Sequence, residues 1–354
     1  MIHTANVPRD GSSAEQGTAS TARAPGQVRS RYLVSLFVGL FGALALFCLT
    51  LFALERTGNL PPPAFSNNLC VDEKLAFLRD NPIDSPNLLV IGSSVAWRHV
   101  DGHALVNAMP EVRPMNGAFC GLFANQSTYV GHWLLDRQPS IRSVVMIADP
   151  QDFAGCWRVP AAVFNREHVD PYVYEDTSRW GYYMRYFAPK SLARNALTVK
   201  AQRAGRIEWD PLVFNRFGDG PLRTRNTREL MYGKPDALDH NCFSALQAMG
   251  ERLQREGRDL MVVSTPLHPE WKERYDPDGT FLANFDQRIA DALGDSGTYW
   301  NADKDWSTPV GSFVDAVHLR WSAAQAFTEA LAEQMQRAAT GPSAPTTMDT
   351  AVLP

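Results

Sequence analysis

The chain has 354 residues, a hydrophobic share of 45%, a charged share of 20% and a formal charge of −4. That apolar share suits a packed core and excludes wholesale disorder. With no long basic run, nucleic acid is not an expected partner, and with no repeat of roughly 20–50 residues a solenoid or propeller is not an expected fold.

Residues 1–30 are rich in Ser, Thr, Ala, Gly and Pro and read as a disordered cytoplasmic tail. Tyr32 to Leu54 follows without one charge. At about 1.5 Å per residue it is long enough to cross roughly 30 Å of hydrocarbon. A buried core helix of that length would carry a polar stripe, so a transmembrane anchor is expected over 31–55. Arg23, Arg29 and Arg31 precede it, whereas Glu55 and Arg56 follow, which puts the N-terminus in the cytoplasm and the rest outside. The stretch exceeds a signal-peptide core and lacks an A-x-A site. Phe47 stands where a lipobox before Cys48 needs a small residue. An uncleaved anchor is therefore expected.

Pro61, Pro62 and Pro63 read as a stiff spacer, and the chain from Ala339 reads as a second loose tail. Between them, 65–338 is expected to be one extracytoplasmic domain. Short apolar runs at 87–92, 142–149 and 258–264 predict strands, with weaker ones at 113–116 and 298–303. Helical patterns fall at about 123–137, 240–256, 281–293 and 322–337, the last with Ser322 as N-cap. Continuous apolar strands separated by helices mean a parallel sheet covered on both faces. Ligand sites in such sheets lie at the carboxyl ends of the strands.

Residues 157–240 break this rhythm. They hold Trp157, Trp180, Tyr182, Tyr183, Tyr186, Trp209 and many arginines. Two readings stand side by side: a structural elaboration, or a lid or cleft wall suited to sugar rings and anions. Beyond the anchor the cysteines are Cys70, Cys120, Cys156 and Cys242. They are either two disulfides, with three pairings open, or four buried thiols. None has C-x-x-C spacing, and His99 and His103 lack an H-E-x-x-H glutamate, so no metal or cofactor is expected. His268 follows a strand end and reads as a loop histidine.

Two short motifs carry chemistry. Gly92-Ser93-Ser94 ends the first strand, where glycine permits a tight bend and a serine projects its hydroxyl at the strand's carboxyl end. Free serine is a weak nucleophile and needs a base beside it. Asp315-Ala316-Val317-His318 precedes the last helix. An Asp three residues before a His can hold Nδ1–H and leave the other nitrogen free to take a serine proton.

This pair of motifs resembles the SGNH (GDSL-type) hydrolases and acyltransferases. The resemblance implies an α/β fold, a flavodoxin-like three-layer α/β/α sandwich. It implies Ser94 as nucleophile, His318 as general base and Asp315 as its orienter, with Ser93 replacing the family's Asp. Asn116-Gly117-Ala118-Phe119-Cys120-Gly121 resembles the family's second block, N-x-G-x-x-G, with Ala118 as a backbone oxyanion donor. Asp149-Pro150-Gln151-Asp152 is a degraded third block, with Gln151 in place of the oxyanion Asn. The α/β-hydrolase elbow G-x-S-x-G fits less well, because there the nucleophile follows several earlier strands. Cys120 and Cys156 follow blocks that the family fold places as neighbours, so the expected pairs are Cys120–Cys156 and Cys70–Cys242.

The resemblance further implies a single-pass protein of the bacterial inner membrane with a periplasmic serine acyltransferase or esterase domain. This architecture resembles the family's members in teichoic-acid D-alanylation and polysaccharide O-acetylation. The expected acceptor is a cell-surface or secreted polysaccharide, the expected acyl group acetyl, and the expected partner a membrane-bound O-acyltransferase. Two other readings remain: a non-catalytic glycan-binding or scaffold partner of such a complex, and a lipase.

Overall fold

The computed structural model describes residues 25–66 and 68–340. They fall into two units that meet at Gly58–Asn59. The first holds helix α1 (Pro25–Arg56), whose segment Ser30–Arg56 reaches a mean hydropathy of 2.5 and is long and apolar enough to cross a membrane. The helix begins before residue 30, so residues 25–30 are helical rather than tail. The tails expected at 1–24 and 341–354 lie outside the described residues.

The second unit is an α/β domain around a five-stranded, all-parallel sheet. In chain order it runs α2 (Leu69–Asp80), β1 (Leu88–Ile91), α3 (Ser94–His99), α4 (Gly102–Ala108), β2 (Pro114–Asn116), α5 (Ala124–Arg137) and β3 (Ser143–Ala148). The stretch that broke the rhythm carries α6 (Arg166–Tyr174), α7 (Trp180–Arg185) and α8 (Pro189–Arg203). Then come α9 (His240–Arg255), β4 (Asp259–Ser264), α10 (Pro269–Tyr275), α11 (Thr280–Leu293), β5 (Thr298–Asn301), α12 (Ala302–Asp305) and α13 (Trp321–Thr340). The strand order is β2-β1-β3-β4-β5, that of a doubly wound sheet whose crevice opens where the order reverses.

Alternation along each strand builds two cores. Leu89, Ile91, Val144, Met146 and Val262 face one layer, formed by α5, α9 and α11. Leu88, Val90, Val145, Ile147 and Val263 face the other, formed by α3, α4 and α13. Helix α9 fits because Cys242, Leu246, Met249 and Leu253 recur at helical spacing, and Asp239 caps its start by accepting from Asn241 N. In α13 Ala324, Phe327, Leu331 and Ala332 do the same. This helix begins at Trp321, so Ser322 lies in its first turn and is not its N-cap. It also runs through Ala339 to Thr340, beyond the expected end of the fold.

Pro61–Pro63 is not a free spacer. Leu60 and Phe65 are buried, the Pro61 carbonyl accepts from Tyr183 Oη at 2.6 Å, and Phe65 packs on Tyr172 and Tyr182. The domain therefore starts at Asn59, not residue 65.

The disulfides are Cys70–Cys120 and Cys156–Cys242, with Cα separations of 6.3 and 5.4 Å. This overturns the expected Cys120–Cys156 and Cys70–Cys242 pairs. The loops after β2 and β3 do meet, with Asn125 Nδ2 donating to the Cys156 carbonyl at 3.1 Å, but their cysteines bond elsewhere. Cys120 instead meets the start of α2, and Cys156 meets the start of α9.

Candidate active site

The backbone after β1 is forced into its shape by Gly92. Its φ is +141°, and a Cβ there would lie 2.6 Å from Ala96 Cβ and 2.7 Å from the Ile147 carbonyl oxygen. Only glycine fits both the dihedral and the space. Gly92→Ala is expected to destabilise the domain by about 3 kcal/mol or more, read as a lower urea midpoint. Ser93 then caps α3, accepting from Val95 N at 3.4 Å, and Ser94 opens the helix. In that position the Ser94 N–H has no carbonyl to meet within its helix.

The loop Phe313–Leu319 closes on itself, with Val314 N donating to the His318 carbonyl at 2.8 Å and a bridge between Phe313 and Leu319. It brings His318 Nε2 to 3.0 Å from Ser94 Oγ. His318 Nδ1 lies 3.0 Å from Asp315 Oδ2. Asp315 also accepts from the backbone N–H of Val317 at 3.0 Å and of His318 at 2.8 Å. Burial pushes its carboxyl up, but the hydrogen bond from His318, that ring's charge and the two backbone donors outweigh burial and hold it well below the usual carboxylate range. Ser94, His318 and Asp315 are thus brought together in one hydrogen-bonded chain.

The expected oxyanion residues fare differently. Ala118 is buried, and its N–H donates to Asn116 Oδ1 at 3.1 Å. That donor is spent inside the fold, so Ala118 is not the oxyanion residue that the resemblance implies. Asn116 is spent too: its Nδ2 donates to the Ala96 carbonyl at 3.2 Å and to Asp219 Oδ1 at 3.0 Å. It ties β2 to α3 and is turned into the fold. Gln151 does line the cavity, but its Nε2 donates to the Gly233 carbonyl, so one of its two amide donors is taken. Further along the same loop as Ala118, Cys120, Gly121, Leu122 and Phe123 reach the cavity wall.

That cavity has a volume of about 470 Å³ and is lined by Ser94, His318, Arg98, Asp149, Tyr232 and the Cys70–Cys120 disulfide, among others. It sits at the carboxyl ends of β1 and β3. No family model and no curated protein matches the chain. The case for the site therefore rests on its geometry.

Several of its residues carry no sequence signal. Arg228 donates from Nε to Asp315 Oδ2 at 2.8 Å, its Nη2 lies 2.7 Å from the same oxygen, and Nη1 pairs with Asp210 at 3.1 Å. Tyr232 sets its ring 5.9 Å from that of His318, on a backbone with φ +69°. An aromatic residue in that region costs on the order of 1–3 kcal/mol. The cost is met by neighbours on both sides: Trp271 Nε1 donates to the Tyr232 carbonyl at 2.7 Å, and Gln151 holds the next one. Asp210, Leu212 and Tyr232 therefore line the cavity, whereas α6 packs on α2.

His99 is the other hidden member. It is fully buried, with Nδ1 3.0 Å from Thr265 Oγ1 and Nε2 accepting from the Leu319 N–H at 2.8 Å. Burial, then the neighbouring His318, pushes its pKa well below the ordinary value, so it is neutral. It pins the histidine loop and shares no site with His103, which lies against the Phe217 ring. His268 caps α10, accepting from Glu270 N at 3.1 Å, and lines a separate cavity of about 660 Å³ behind Arg228 and Asp315.

Asp149 ends β3 in the cavity wall. One carboxylate oxygen accepts from Gln151 N at 2.7 Å, and the other is buried without a partner. Burial, and less so the charges of Asp315 and Asp303, raise its pKa from 3.8 to about 7. The ionised form is the one that the fold disfavours. Asp149 thus costs the fold increasing stability as pH rises from about 4 to about 7. Asp149→Asn keeps the acceptor and removes the charge. It is expected to match wild type near pH 4 and to exceed it near pH 8, by on the order of 2 kcal/mol, in paired urea titrations.

Proposed function

We propose that the protein is a membrane-anchored, extracytoplasmic serine acyltransferase or esterase of the SGNH type, acting on O-acetyl groups of a polysaccharide. The observation that carries this reading is the relay from Ser94 Oγ through His318 to Asp315, at 3.0 Å for each step. It opens at the strand ends of a doubly wound sheet, in a cavity of about 470 Å³ that suits a small acyl group.

In this mechanism His318 Nε2 takes the serine proton as Ser94 Oγ attacks the acyl carbonyl. Asp315 keeps Nδ1 protonated and steadies the imidazolium. The Ser94 N–H and the backbone of Cys120–Gly121 hold the oxyanion, in the place the resemblance gives to Ala118. His318 returns the proton to the leaving oxygen. A water or a sugar hydroxyl then takes the acyl group from Ser94 by the same steps in reverse. Transfer and hydrolysis differ only in which acceptor arrives.

The test is labelling of the full chain in detergent with a fluorophosphonate, followed by peptide mass spectrometry. The expected result is a single adduct on Ser94, blocked by prior acetylation from p-nitrophenyl acetate. Absence of any adduct would move the reading to a non-catalytic glycan-binding partner of a membrane O-acyltransferase. That alternative has one observation on its side: the donors of Ala118 and Asn116 are consumed within the fold.

A further inference from the structure

Beside the serine cavity lies a second one of about 580 Å³, and the two share Phe123 and Gln151 as lining residues. Its remaining wall includes Trp157, Arg158 and Lys234. Trp157 has 67% of its surface exposed. A large aromatic side chain loses much favourable burial by standing in water, yet its backbone is held on three sides. Cys156, just before it, is bonded to Cys242. Its own N–H donates to Asp239 Oδ2 at 2.7 Å. The Cys156 carbonyl accepts from Asn125 Nδ2 at 3.1 Å. The fold thus fixes an indole in solvent at the mouth of a cavity one side chain away from the nucleophile's. The Arg158 guanidinium lies over the indole, 5.1 Å from its centroid, which restricts the ring and sets a cationic donor beside it.

We propose that this second cavity is the acceptor subsite and takes a pyranose ring of a polysaccharide, stacked on Trp157, with Arg158 and Lys234 as donors to its oxygens. A pyranose has an apolar C–H face and a polar rim. That matches a flat indole bordered by cationic donors. A lipid chain would need a continuous apolar lining, whereas here Arg158, Lys234, Asp236 and Asp239 interrupt it. The inference rests on the acyl-transfer reading and names its acceptor. A hydroxyl of the bound sugar reaches past Gln151 to the acyl carbonyl on Ser94. The new sugar–acyl bond forms, the Ser94 Oγ–acyl bond breaks, and the hydroxyl proton passes through His318 Nε2 to Ser94 Oγ.

The test measures binding with the chemistry removed. Full-chain Ser94→Ala protein in detergent is titrated calorimetrically with cellohexaose and with hexamannuronate. The expected result is binding of at least one, at least ten-fold weaker when Trp157→Ala is added and at least three-fold weaker with Arg158→Ala. Trp157→Phe, which keeps a flat ring, retains most of the affinity. Equal melting temperatures check that the variants fold, and Arg158→Lys, which keeps a cation over the indole, should retain more affinity than Arg158→Ala. Failure of both oligosaccharides to bind, or affinity indifferent to Trp157 and Arg158, overturns the subsite. The two proposals separate cleanly. Trp157-dependent binding without fluorophosphonate labelling sinks the acyl-transfer reading and keeps the sugar site. Labelling of Ser94 without sugar binding does the reverse.

Discussion

Ser94→Ala is expected to lower kcat/KM for an unactivated acetyl ester by roughly 10⁵-fold or more, the scale seen when a triad nucleophile is removed. Melting should move by no more than about 2 °C. The two outcomes separate because adjacent serines have different tasks. Ser93, not Ser94, caps α3, so alanine at 94 leaves the helix start intact. The only hydrogen bond that the Ser94 hydroxyl makes among the described residues is the one to His318. By contrast, Ser93→Ala removes the cap and should cost about 1 kcal/mol of stability. Wild-type turnover by the Ser94→Ala protein, followed as acetate release, would remove the serine from the mechanism altogether.

The sheet is legible in the sequence because its strands are short, continuous apolar runs. LLVI and SVVMIA need no partner to be recognised, since burial on both faces leaves no polar position in them after Ser143 at the start of β3. The serine and the D-x-x-H loop are legible for a related reason. Each occupies a fixed place relative to a strand end or a helix start, and backbone geometry carries it to the crevice. What is not legible depends on which atoms meet across long separations. Nothing in the sequence around Asn116 says that its amide turns inward to the Ala96 carbonyl and Asp219, or that it thereby consumes the Ala118 N–H. Arg228 lies in an arginine-rich stretch where no pattern separates it from Arg223 or Arg225. Only the folded chain brings it to Asp315, 87 residues away. The disulfides fail because pairing depends on which side chains meet: the loops after β2 and β3 touch, yet Cys120 bonds to Cys70 in α2 and Cys156 to Cys242 in α9.

Asp315→Asn is the second large effect, and it tests the part of the site that the sequence hid. Asp315 accepts from Val317 N, His318 N, His318 Nδ1 and Arg228 Nε, and Arg228 Nη2 lies 2.7 Å from its Oδ2. Asparagine offers one acceptor oxygen and one amide nitrogen with two donors. If the oxygen keeps the two backbone donors, the amide nitrogen faces both His318 Nδ1 and Arg228. The imidazole must then accept at Nδ1 and carry its proton on Nε2, where it can no longer take one from Ser94. The expected loss is about 10⁴-fold in kcat with little change in KM. Arg228 meanwhile loses its buried partner and keeps only Asp210, which should cost on the order of 3 kcal/mol. The sign with pH follows from the direction of the shift. A carboxyl whose folded pKa is depressed stabilises the fold above its unfolded value, near 3.9, and loses that contribution as pH falls toward the folded value. The stability gap between wild type and Asp315→Asn should narrow as pH falls below about 4. A gap that persisted undiminished in acid would mean that Asp315 is not the ionised anchor on which His318 and Arg228 converge.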